Sequence, residues 1–231
     1  MIPLRDANPS HHTPLVTILL IAANLGAFLY ELSLPPQGLE QFVFQFGVIP
    51  SRMTAFVRHP DIGFGDAYVP LFTSMFLHGG WLHLIGNMWF LWIFGDNIED
   101  RLGKLRYLVF YLACGLGAGL AHALFNLGSN IPTIGASGAV AGVLGGYFVL
   151  FPTARVLTLV PFFFLILAQL PAWLILLYWF VIQFFSGAMT LAAGRGELGG
   201  VAWWAHVGGF VLGALLVRVL VPRRRVRVII P

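Results

Sequence analysis

The chain has 231 residues, 58% of them hydrophobic and only 10% charged, with 13 Lys and Arg against 9 Asp and Glu for a formal charge of +4. A mean hydropathy of +0.85 is more apolar surface than a soluble domain can hide, which excludes a water-soluble globular protein and points to an integral membrane protein. The pI near 9.6 does not argue for a nucleic-acid partner, because much of the basic excess sits in the RRRVR cluster directly after an apolar run, where it anchors topology against anionic lipid.

A bilayer core takes roughly 20 helical residues per crossing. The first suitable run, 15–34, follows a polar start and lacks a small-x-small cleavage site, so it is expected to stay as a span and not to leave as a signal. Residues 35–67 are the longest polar-tolerant stretch. Pro35, Pro36 and Pro60 break it while Phe42, Phe44, Phe46 and Phe56 keep it apolar, so it is expected to lie on or in the outer interface. Further runs fall at 81–95, 105–125, 134–152, 171–193 and 201–221, and 222–231 is a basic cytoplasmic tail. The expected fold is an all-α polytopic membrane protein, one membrane domain of six transmembrane helices.

Segment 156–193 carries no charge and is long enough for two crossings, with Pro161 and Pro171 inside it. The basic residues decide. With six spans and the N-terminus inside, Arg5, Arg101, Lys104, Arg106, Arg155, Arg218, Arg223, Arg224, Arg225 and Arg227 are cytoplasmic, and only Arg52, Arg58 and Arg195 are outside. A seventh span would export the C-terminal cluster against the positive-inside rule. Residues 156–170 are then expected to be partly the start of the fifth span and partly a membrane-associated connection. Cys114 is alone and mid-span, which leaves no intrachain disulfide or multi-cysteine metal site.

Polar groups inside spans cost free energy unless they face a partner or a water-filled cavity. The second span opens with HGGWLHLIGN, giving His78, His83 and Asn87; His122 lies in the third, Ser137 in the fourth and His206 in the sixth. His83 and Asn87 are four apart and share a helical face. The second, fourth and sixth spans all run inward from the outer face, so their polar groups arrive at one level, roughly 5 to 10 Å below the helix starts for Ser137 and His206. Ser137, Ala141 and Gly145 form a stripe of small residues beside Gly138, Gly142 and Gly146, and His206 shares a face with Gly209 and Gly213. Such faces let helices approach closely. If they meet, Ser137 comes within hydrogen-bond reach of His206, which is the arrangement a serine nucleophile needs. His206 would be the base. The Ser137 backbone N–H and the side chains of Asn87 and His83 would stabilise the oxyanion.

The motifs HGGWLHLIGN, EDRLG at Glu99 to Gly103, GASG and AHVGG, in this order over about Phe72 to Gly213, resemble the rhomboid intramembrane serine proteases. The resemblance implies a six-helix core, a Ser-His dyad of Ser137 and His206 without an aspartate, and an oxyanion hole including His83 and Asn87. It also implies that loop 35–67 packs laterally at the membrane surface, and that Glu99 and Arg101 form a structural pair at the inner end of the second span. Two positions depart from the pattern. Val69 and Pro70 stand where some members have Trp-Arg, and Ala141 stands where some place an aromatic against the catalytic histidine. Trp203 or Trp204 are the aromatic substitutes nearest His206 in sequence.

A serine near a membrane-helix N-terminus is commonly a cap, and a lone intramembrane histidine a packed contact; only the ordered set favours catalysis. His78 reads as structural, at a loop-to-helix junction, and His11, His12, His59 and His122 receive no role. A zinc protease built on His78, His83 and His206 lacks HExxH and an adjoining acidic base. A noncatalytic binder of client transmembrane helices would not need both Ser137 and His206, and a transporter would need charges at the span centres or an inverted repeat. The expected enzyme is an intramembrane serine endopeptidase that uses no cofactor and no metal. It acts on transmembrane protein substrates and contacts membrane lipid. Short loops and the lack of appended domains suggest a minimal bacterial-type enzyme of the plasma membrane with both termini cytoplasmic.

Overall fold

The computed structural model describes residues 1–58, 63–161, 165–192 and 201–222. His59, Pro60, Arg195 and the basic tail from 223 onward lie outside the described residues. In chain order the elements are β1 (Ile2–Asp6), α1 (Leu15–Ser33), α2 (Pro36–Phe46), α3 (Pro50–Arg58), α4 (Phe64–Tyr68) and α5 (Pro70–Thr73). They continue with a 3₁₀ turn (Ser74–Phe76), α6 (Trp81–Leu102), α7 (Lys104–Phe125), α8 (Ser137–Leu150), β2 (Arg155–Pro161), β3 (Leu165–Pro171), α9 (Ala172–Ala192) and α10 (Trp203–Leu220).

Helices α1, α7, α9 and α10 are long and apolar enough to cross a membrane. The other two helices of the expected six differ from a plain apolar span for visible reasons. Helix α6 runs past residue 95 through two charged turns with Asp96, Glu99, Asp100 and Arg101, until Gly103, at φ 81°, ends it and at once starts α7. Helix α8 has 14 residues and begins at Ser137 instead of 134, because the approach through Pro132 and Gly135 is extended.

The mostly helical bundle also carries a three-stranded antiparallel sheet in the order β1-β2-β3, which the all-α expectation did not include. The described residues between 156 and 170 are therefore strand and not the start of the fifth helix, which begins at Ala172. The β-branched and leucine-rich strands are closed off by Pro161 and Pro171, residues that cannot continue a helical hydrogen-bond ladder, and seven residue pairs join β2 to β3. Strand β1 lies along α6: Trp89 Nε1 donates to the Pro3 carbonyl at 2.7 Å, and Asn97 Nδ2 donates to the Asn8 carbonyl at 3.2 Å.

Buried carboxylates fasten α1 at both ends, to α6 and to the loop that leads into it. Pro14 leaves α1 without a side-chain cap of its own. Glu99, buried in the last turn of α6, supplies one instead, accepting from Val16 N at 2.9 Å, Thr17 N at 2.8 Å and Thr17 Oγ1 at 2.9 Å, where the helix dipole favours an anion. At the other end Glu31 accepts the His78 backbone N–H at 3.1 Å. The expected Glu99–Arg101 pair does not form: Glu99 turns inward to α1 and Arg101 is exposed.

Helix α8 is the centre of the bundle, with every residue from Gly138 to Tyr147 buried. Its glycines meet α7 on one side, Gly138 at Ala118 and Gly142 at Cys114, and α10 on the other. The α8–α10 approach is backbone on backbone: a Cβ on Gly209 would stand 2.1 Å from the Gly138 carbonyl oxygen, and one on Gly213 would stand 2.0 Å from that of Gly142. The small faces do meet. The described part of segment 35–67 is largely helical, and it is tied to the strand-like approach to α8 by an isolated bridge between Val48 and Thr133 and by Ser51 Oγ donating to Asn130 Oδ1 at 2.6 Å.

Candidate active site

Ser137 is the first residue of α8, so its own backbone N–H has no partner within the helix. Gly135, two residues earlier, has φ 127°, a conformation that L residues rarely adopt, and its amide is held by the Ser74 carbonyl at 2.8 Å. A Cβ there would also fall 2.7 Å from the His83 imidazole. The glycine of GASG thus serves both backbone and space: it turns the chain into α8 and leaves His83 room beside Ser137.

His206 is the fourth residue of α10, and its Nε2 lies 2.8 Å from Ser137 Oγ. Its Nδ1 lies 2.7 Å from Gln183 Oε1 on α9. A carbonyl oxygen can only accept, so Nδ1 carries the proton in this bond and Nε2 offers its lone pair to the serine hydroxyl. Trp179, one turn from Gln183, packs on the imidazole with centroids 5.7 Å apart and planes 35° apart.

This revises what holds His206. Trp204 stacks on Phe125 at 4.0 Å instead, and Trp203 meets the histidine only edge-on at 6.4 Å. Trp204, two positions before His206, lies on a different face of α10, and Trp203, three before it on the same side, reaches the ring only by its edge, whereas Trp179 of α9 packs against the imidazole. Gln183 and Trp179 were missed from the sequence. The available signal was a polar residue within an otherwise uncharged run, with an aromatic four residues away on the same face.

His83 and Asn87 come from α6 and line the same cavity as Ser137 and His206. His83 Nδ1 accepts the Gly79 N–H at 3.4 Å, so its Nε2 is left as a donor on the side that faces Gly135. Asn87 is 7% exposed, and among the described residues its Nδ2 donor has no hydrogen-bond partner. Buried donors are nearly always paired, so an orphan amide beside a serine hydroxyl is poised for an oxygen that arrives later. The cavity has a volume of ≈ 620 Å³, with Phe90, Ile134, Val140, Leu144 and Trp179 giving it apolar walls.

Three other histidines have contacts of their own. His122 Nε2 pairs with Thr133 Oγ1 at 3.0 Å, His12 with Asp100 at 2.5 Å, and His78 is buried beside His83. Among the described residues, no three His, Cys, Asp or Glu side chains are grouped to hold a metal ion.

A serine hydroxyl donating to a tautomerically fixed imidazole, with donors nearby, can support attack on a carbonyl and stabilise the oxyanion that results. The Rhomboid domain model matches residues 66–223. RHOMBOID-like protein 4 of Arabidopsis thaliana is 35% identical over 165 residues, 69% of this chain and 36% of that protein. Rhomboid protein 1, mitochondrial, of Saccharomyces cerevisiae is 30% identical over 154 residues, 64% of this chain and 40% of its own. The Rhomboid protease GluP of Bacillus subtilis is 41% identical over 75 residues, 32% of this chain and 14% of its own. The chain spans well under half the length of these curated relatives.

Proposed function

The chain belongs to the rhomboid family, and from that premise we propose that it is an intramembrane serine endopeptidase. The observation that carries the reading is the 2.8 Å approach of His206 Nε2 to Ser137 Oγ. Ser137 is the nucleophile and His206 the general base. As Oγ bonds to the scissile carbonyl carbon, its proton passes to Nε2, and the carbonyl oxygen becomes an oxyanion held by the Ser137 N–H, Asn87 Nδ2 and His83 Nε2. When the C–N bond breaks, Nε2 returns the proton to the leaving amine. Water then repeats the sequence on the acyl-enzyme.

The protein crosses the membrane six times, α1, α6, α7, α8, α9 and α10 each spanning it, with both termini cytoplasmic and the site beneath the outer face. Its substrates are transmembrane proteins. A helix hides its carbonyls in its own hydrogen bonds, so the cleaved segment is one weakened by Gly or Pro near its outer end, with a small residue before the cut. The apolar cavity walls suit such a segment better than a soluble peptide. The test is reconstitution in liposomes with a single-span substrate carrying that sequence. Cleavage near the outer end, abolished by Ser137→Ala and by His206→Ala and slowed by leucines in the segment, is expected. Cleavage persisting in Ser137→Ala would refute the mechanism, and capture of the segment without cleavage by the unmodified chain would favour a noncatalytic client binder.

A further inference from the structure

Helix α9 supplies an amide that a serine–histidine pair does not by itself require. Gln183 is 8% exposed in a helix with no charged residue, and burying an amide in such surroundings costs free energy unless it is hydrogen-bonded. Its bond is to His206 Nδ1, at 2.7 Å. With Oε1 turned to the ring, as here, the bond exists for only one neutral tautomer. With the proton moved to Nε2, the amide would have to rotate to offer its NH2 to the bare Nδ1, and an N–H would face Ser137, so the hydroxyl would lose its acceptor. Trp179 on the same face of α9 restrains the ring plane, while Ala141, four residues after Ser137 on α8, is too small to do so. Both orienting contacts therefore come from α9, the helix that carries neither member of the dyad.

We infer that Gln183 is the positioning residue of His206, locking its Nδ1–H tautomer and aiming Nε2 at Ser137; this rests on the protease reading of the site. Through the reaction the Nδ1 proton stays on His206. Ser137 Oγ gives its proton to Nε2 as it bonds to the carbonyl carbon, the resulting imidazolium strengthens its N–H bond to Gln183 Oε1, and Nε2 then protonates the departing amine. Gln183 neither gains nor loses a proton, and unlike a carboxylate partner it adds no charge to a site inside the membrane.

The experiment combines nitrogen-15 spectra of histidine-labelled protein in detergent, with His206 assigned by its loss in His206→Asn, and steady-state cleavage of the single-span substrate. In the unmodified chain His206 carries its proton on Nδ1 and a bare Nε2. Gln183→Met, similar in shape but without the acceptor, mixes the tautomers and lowers kcat about tenfold at constant KM, as expected for one neutral hydrogen bond. Gln183→Glu restores the acceptor and kcat. It also moves the acid limb of the pH–rate profile to higher pH, because a carboxylate favours the imidazolium and the base must be neutral; a merely structural residue would not do this. A proton on Nε2 in the unmodified chain, or a Gln183→Met variant with unaltered spectrum and kcat, overturns the inference. Should the unmodified chain cleave nothing, the protease reading fails, and the spectrum still decides the role of Gln183.

Discussion

Replacing Gly209 by alanine adds one methyl group where α8 and α10 touch through their backbones. The new Cβ would stand 2.1 Å from the Gly138 carbonyl oxygen and 3.0 Å from its carbon. Nonbonded carbon and oxygen need about 3.4 Å, so the helices must part by roughly 1.3 Å at this level, and a helical carbonyl cannot rotate out of the way. Gly138 adjoins Ser137, and Gly209 lies less than one turn from His206. A 2.8 Å bond lengthened by that amount reaches about 4 Å and is no longer a hydrogen bond. Overpacking of this kind costs about 1–3 kcal/mol, which a folded bundle survives, whereas a displacement of about 1 Å at reacting groups costs about 100-fold in rate. Gly209→Ala is therefore expected to fold, bind substrate and cleave about 100-fold more slowly. Gly26→Ala on α1, where nothing lies within 4 Å of the new Cβ, is the control and leaves cleavage unchanged. The readouts are kcat on the reconstituted substrate and the thermal midpoint. A Gly209→Ala enzyme within twofold of the unmodified rate would refute the argument that this contact sets the dyad distance.

Three further predictions follow from separate parts of the fold. Gly135→Ala forces a side chain into φ 127° and into the His83 imidazole; loss of one oxyanion donor should lower kcat about 100-fold with little change in KM. Glu99→Ala leaves the first turn of α1 without its cap and should destabilise the protein by about 1–3 kcal/mol in a thermal or denaturant titration in detergent, with residual native enzyme retaining its specific activity. Burial, opposed by the Tyr147 hydroxyl bond, raises the Asp6 carboxyl on β1 to about 6 from its usual 3.8. The folded state therefore holds this proton more tightly than the unfolded chain. Its contribution is fully present below pH 3.8, declines as pH rises, and is lost above about pH 6. Screening limits the effect to about 1 kcal/mol. Asp6→Asn should flatten the fall in thermal midpoint between pH 4.5 and pH 7, and a slope identical to that of the unmodified chain would contradict this assignment.

Much of the site was legible because its chemistry depends on residue type and spacing. Small residues at every third or fourth position on two helices announce a close approach, and a serine on one with a histidine on the other places both side chains at that contact. The i, i+4 spacing of His83 and Asn87 placed both on the cavity face. Gln183 was less legible because its role depends on where α9 crosses α10, a packing geometry that periodicity along one helix does not encode. The hairpin of β2 and β3 was hidden for a different reason. A continuous apolar run of valine, leucine and phenylalanine is consistent with a strand or a buried helix, and the prolines that settle it act through hydrogen bonds absent from a hydropathy profile. Glu99 shows the same limit, since a neighbouring arginine in sequence proved a weaker attraction than uncapped amides contributed by a helix more than 80 residues away.

The most direct test of the central claim is labelling of the purified, folded chain with a fluorophosphonate, followed by mapping of the adduct. Phosphorus bonds to a serine oxygen only where a base removes the proton. The account predicts one adduct, on Ser137, absent from Ser137→Ala and His206→Ala variants that remain folded. A folded, unmodified chain that takes up no probe while a control serine hydrolase reacts under the same conditions would contradict it.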